Sequence, residues 1–176
     1  MQEAGALSDG EIVELIKAGA LGIDPFDEAR LTPNGYDLEI RQVASPPAPP
    51  VSHGVSRLPA GTRFAVSTRE YVRLPDFLMG NLWLRTSWAR KGVLASFGVI
   101  DAGFEGELTL GAYASAEVEV EVGKTFAQMV FYRLGRPAMK PYAKRSGNYQ
   151  GQRGVTLAPP QLGQGVGGSE RGRASR

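Results

Sequence analysis

Apolar positions near the start of the chain recur at helical spacing. Ile12, Val13, Leu15 and Ile16 share one face of a helix that Ser8 opens and Gly19 closes. Ser8 is followed three residues later by Glu11, a spacing that lets each side chain accept from the other residue's free backbone amide. Ile23-Asp24-Pro25-Phe26 breaks into a loop, and Pro33-Asn34-Gly35 turns the chain into a strand from Tyr36 to Ile40. The run Ser45-Pro46-Pro47-Ala48-Pro49-Pro50 lacks the amide donors a sheet needs and predicts an extended surface connection. Beyond it the texture becomes short apolar or alternating runs separated by Gly and Pro. The clearest is Glu117 to Val122, a half-buried strand with its valines inward. Its three glutamates read as a solvated strand face rather than a metal or catalytic cluster. The pattern predicts a mainly β chain, a barrel or sandwich of the jelly-roll sort, with one short N-terminal helix. No internal repeat is visible.

Composition narrows the classes. A chain of 176 residues, 42% hydrophobic and 22% charged, fits one globular domain, placed here at residues 1–158. Residues 159–176 are rich in Gln, Gly and Ser and predict a disordered, solvated tail, its arginines 171, 173 and 176 included. There is no cysteine, which removes disulfides and thiolate metal sites, and the single histidine, His53, removes a histidine-rich zinc site. No apolar run reaches membrane-spanning length and the first residues lack a secretory pattern, so a cytoplasmic protein without a membrane partner is expected. A net charge of +2 is too small to argue for a nucleic-acid partner.

Three segments carry polar residues that a fold alone would not require. Arg85-Thr86-Ser87-Trp88-Ala89-Arg90 joins hydroxyls and a helix cap to two guanidinium forks suited to phosphate, although arginines near a cap often serve only surface ion pairs. In Val99-Ile100-Asp101-Ala102-Gly103-Phe104 an apolar strand ends in a carboxylate and turns beside an aromatic. Asp101 either bonds its own turn or orients a water, with Phe104 a flat wall for a sugar. Residues 142–158 are Gly-rich, basic and aromatic together, as a lid over phosphates would be.

The order and wording of these motifs resemble the dCTP deaminase and dUTPase superfamily, in particular its archaeal-type dUTPases and bifunctional members. The match includes Leu7-Ser8-Asp9, Gly35-Tyr36-Asp37-Leu38 and the Arg85 to Arg90 motif, then the Asp101 turn. It continues through Gly123-Lys124-Thr125-Phe126-Ala127-Gln128 to Tyr149-Gln150-Gly151-Gln152-Arg153-Gly154, about nine-tenths of the chain. The resemblance implies a distorted jelly-roll, a homotrimer with sites between subunits, and Mg²⁺ held mainly by the triphosphate with no protein ligands of its own. By motif position it implies that Arg85, Ser87 and Arg90 grip phosphates, that Asp101 holds the catalytic water, and that Phe104 packs on the deoxyribose. It also gives Gln128, Tyr142 and Gln152 to phosphate recognition, the last two from the lid.

The resemblance also bears on the reaction. In the deaminases and bifunctional enzymes a glutamate ten residues beyond the aspartate shuttles protons at C4 of cytosine; here that position is Gly111, which moves no proton. Glu107 lies four strand residues away, about 13 Å. Hydrolysis of dUTP to dUMP and pyrophosphate needs only positioning, charge neutralisation and one carboxylate. The expectation from sequence is therefore a dUTPase, with dCTP deaminase the alternative and a non-catalytic nucleotide binder the third reading.

Overall fold

A computed structural model describes residues 5–145 and 147–157 of the chain. In chain order the elements are β1 (Gly5–Ala6), α1 (Asp9–Lys17), β2 (Gly22–Asp24), a 3-10 turn (Glu28–Arg30), β3 (Leu31–Thr32), β4 (Gly35–Ala44), β5 (Val55–Leu58), β6 (Thr62–Thr68) and β7 (Tyr71–Arg73). There follow β8 (Leu78–Leu84), α2 (Thr86–Ala89), β9 (Val93–Leu94), β10 (Val99–Ile100), β11 (Glu105–Gly106), β12 (Thr109–Ala114), β13 (Val118–Glu121), β14 (Thr125–Arg133) and α3 (Tyr142–Arg145). One curled antiparallel sheet runs β10-β8-β14-β4-β6-β12-β9, with β1 on β14 and β3 on β4. The triplet β11-β7-β2 and the pair β13-β5 complete a distorted jelly-roll.

Helix α1 begins as its sequence dictates. The Glu11 amide donates to Ser8 Oγ and the Ser8 amide donates to Glu11 Oε2 at 2.9 Å, the reciprocal cap that offsets free N-terminal amides. Its apolar face buries Ile12 completely, with Leu15 and Ile16 packed at the edge of the core. In β13, Val118 and Val120 are buried and Glu119 and Glu121 exposed, as the alternation requires. Strand β4 is longer than its apolar run. Tyr36 to Glu39 pairs with β14, and the chain then shifts register and pairs with β6 through Ala44. The proline run lies exposed between Ala44 and Val51, whose amide bonds back to Val43. The predicted tail, 159–176, lies outside the described residues. Among the described residues no helix is long and apolar enough to cross a membrane.

One buried carboxylate ties the middle of the sheet to pH. Glu70 is 1% exposed and its Oε2 accepts the Glu39 amide at 3.0 Å. Glu39 itself bonds Arg30 and Arg69. Burial pushes the Glu70 carboxyl up from 4.5 to about 7, against the lowering effect of backbone donors and Arg30, while the Glu39 charge adds to the rise. Below pH 4.5 Glu70 is protonated in both folded and unfolded chains. Between 4.5 and about 7 the unfolded chain ionises first, so stability falls across that window, by on the order of 3 kcal/mol. Glu70→Gln mimics the protonated acid. Its Tm should match wild type near pH 4.5 and exceed it above pH 7; parallel Tm curves for the two proteins would contradict this.

Candidate active site

The edge strand β10 hydrogen-bonds β8, Val99 opposite Asn81, and this pairing delivers Asp101 to an exposed position at the strand end. The turn then closes with the Phe104 amide donating to the Asp101 carbonyl at 3.1 Å. Gly103 adopts φ +82°, and a Cβ there would lie 2.4 Å from Pro141 Cβ. Only glycine lets the chain entering α3 cross this turn so closely. Tyr142 is anchored in turn by its amide, which donates to the Ala102 carbonyl at 2.8 Å.

These contacts enclose a cavity of about 230 Å³ that brings together Asp101, Phe104, Tyr142 and Gln152, with Gly111 on its β12 wall. Phe104 is 5% exposed and meets the Tyr142 ring edge-on, centroids 5.4 Å apart. The cavity therefore has one aromatic corner rather than a bare flat wall. Tyr142 Oη accepts the Tyr149 amide at 3.1 Å, which folds the C-terminal segment across the opening. Gln152 donates its amide nitrogen to the Glu107 carbonyl at 2.6 Å, while its amide oxygen is buried without a partner. A carbonyl only accepts, so this bond fixes the orientation of the amide and leaves its oxygen as an acceptor and its second N–H as a donor. Sequence reasoning passed over Ser96 and Thr109, which also line the cavity. Nothing in the local pattern separates them from any other strand hydroxyl.

Of the residues expected to bind phosphate, Tyr142 and Gln152 line this cavity, while Arg85, Ser87, Arg90 and Gln128 lie elsewhere on the chain. Arg85 and Ser87 border a second depression of about 290 Å³ with Lys91, Lys124 and Thr125. The Arg85 side chain bonds Asp37 and the Thr125 hydroxyl. Burial raises the Asp37 carboxyl above its ordinary value, with Arg85 opposing the rise. Helix α2 is capped by Arg85 with no side-chain cap bond, so the hydroxyl cap expected of Thr86 and Ser87 does not form. Arg90 is exposed and lines neither site, and Gln128 bonds Thr32 Oγ1 at 2.6 Å. Half of the expected constellation is thus assembled within one chain and half is not.

Residues 50–134 match the family model described as dCTP deaminase-like. The chain is 39% identical to the dCTP deaminase of Thermococcus kodakarensis over 77% of this chain and 89% of that one. It is 42% identical to the dCTP deaminase of Pyrococcus horikoshii over 73% and 84%. The crystal structure of 2′-deoxycytidine 5′-triphosphate deaminase from Agrobacterium tumefaciens superposes with a TM-score of 0.65 at 20% identity. That superposition covers 75% of this chain and 49% of that one, about half its length, and supports the jelly-roll fold.

The relatives overturn one expectation. Gly111 led sequence reasoning to a dUTPase, yet archaeal relatives at 35% to 42% identity are named dCTP deaminases. The cavity beside Gly111 also holds Asp101 and Tyr142, so a glycine at that position does not leave it without an acid–base side chain. Glu107, by contrast, does not line the cavity, in keeping with its distance along the strand. At the identity and coverage of the archaeal relatives, the chain belongs to the dCTP deaminase-like family of the dCTP deaminase and dUTPase superfamily.

Proposed function

We propose that the chain deaminates dCTP. A water adds across the C4–N3 double bond of cytosine, its oxygen bonding C4 and one proton reaching N3; the C4–N4 bond then breaks as the second water proton passes to N4, and ammonia and dUTP leave. Asp101 takes the proton from the attacking water and hands it on to the ring and the departing amine. The observation that carries the reading is one small cavity lined by both this carboxylate and Gln152, beside the Phe104 and Tyr142 rings. The Gln152 amide has donor and acceptor groups of the kind that recognise a nucleoside. The deaminase names of the archaeal relatives support the same choice.

A cavity of about 230 Å³ is below the size of a drug-like pocket and suits a base and sugar, so the triphosphate extends outside it. The cationic depression of Arg85, Ser87, Lys91 and Lys124 fits the phosphates, supplied by a neighbouring copy in a homotrimer. Exposed Trp83, Leu94 and Val99 give that copy an apolar surface to cover. The triphosphate carries oxygen ligands that suit Mg²⁺, and the ion enters bound to it.

Incubation with dCTP is the direct test. Stoichiometric ammonia and dUTP are expected, and no ammonia at high enzyme concentration would sink the reading.

A further inference from the structure

Glu107 is completely buried and takes no part in the chemistry above, yet its partners converge from two directions. Arg41 on β4 pairs with Oε1 from one side. Arg153 reaches the same oxygen at 3.3 Å, and the Gly154 amide donates to Oε2 at 2.6 Å. The backbone of Glu107 adds two more ties: its amide donates to the Gln152 carbonyl at 3.0 Å, and its carbonyl accepts the Gln152 side-chain amide. Residues 151–156 therefore lie along β11 and the start of β12 as an added strap. The Gly151 amide donates to the Glu105 carbonyl at 2.7 Å, and the Thr156 amide donates to Thr109 Oγ1 at 2.9 Å. Gly106 makes room for it, since a Cβ there would sit 3.2 Å from the Gln152 nitrogen.

We infer that Glu107 is a positioning residue: its buried carboxylate clasps residues 152–154 onto the wall of the cavity of their own chain and so sets where Gln152 stands. A buried carboxylate that loses its charge partners is strongly unfavourable, so the pairing with Arg153 and the Gly154 amide holds the strap in place. Arg153 also lies over the Tyr71 ring at 4.3 Å, which steers its guanidinium toward the carboxylate. The inference rests on the proposed function only for its kinetic arm.

Two variants of the full chain test it. In Glu107→Gln both ion pairs vanish, and tryptic cleavage after Arg145 should run at least about tenfold faster than in wild type. KM for dCTP should rise by a similar factor with kcat changed less than about threefold, the signature of lost placement rather than lost chemistry. Arg153→Ala, at an exposed side chain whose loss leaves the core intact, should move both readouts the same way by a smaller factor. Wild-type protease resistance and KM in a folded Glu107→Gln overturn the inference. If that variant does not fold, wild-type values in Arg153→Ala overturn it. Proteolysis reads the clasp even if wild type releases no ammonia, so failure of the clasp and failure of the deaminase reading are distinguishable.

Discussion

Asp101→Asn should lower ammonia release from dCTP by at least about a hundredfold, with Tm and dCTP binding close to wild type. The amide keeps the shape of the carboxylate but is a poor acceptor for a proton from water. Asp101 is exposed at the end of β10, and the turn is closed by backbone groups that the substitution leaves intact. Stability should therefore hardly change. Calorimetric titration with dCTP and a thermal melt separate the effects. Turnover above about a tenth of wild type, a barrier change under ~1.4 kcal/mol, would remove Asp101 from the reaction. A large fall in Tm would instead make it a structural residue of the turn.

Removing residues 143–176 should abolish measurable deamination while leaving a folded barrel. The deletion takes away Gln152 and the strap, and it removes the Tyr149 contact that closes the cavity over Tyr142. No strand of the curled sheet is lost. The cost to stability is nevertheless real, because Glu107 keeps Arg41 but loses Arg153 and the Gly154 amide. A fall in Tm with retained far-UV β signal is expected. The truncated chain should still associate, since Trp83, Leu94 and Val99 all lie before the cut. An active truncation would show that the strap has no share in the site. A truncated chain without β structure would show that the strap is part of the core.

Much of the architecture was legible because it rests on local rules. The Ser8–Glu11 cap and the helical face of Ile12 follow from side chains three and four residues apart, and the alternation of β13 follows from the two-residue repeat of a strand. The length of β4 was not legible. Its second half is held by β6, whose residues are more than twenty positions away in sequence. Order and chemistry of the motifs also placed Asp101, Phe104, Tyr142 and Gln152 at one site, which the cavity brings together.

Sequence by itself determined the fold class and the family, since period, punctuation and ordered motifs are properties of the chain alone. It also showed that position 111 is glycine, but not what that glycine implies. Whether a missing carboxylate matters depends on which other groups face the same cavity, and that is set by the packing of β10, β12 and α3. Only the tertiary structure separated Arg85 and Ser87 from Asp101 and tied Gln128 to Thr32. It alone tied the Gln152 amide to the Glu107 carbonyl and buried Glu107 beneath the strap. Each depends on the direction of a side chain relative to a strand distant in sequence, which no local pattern encodes.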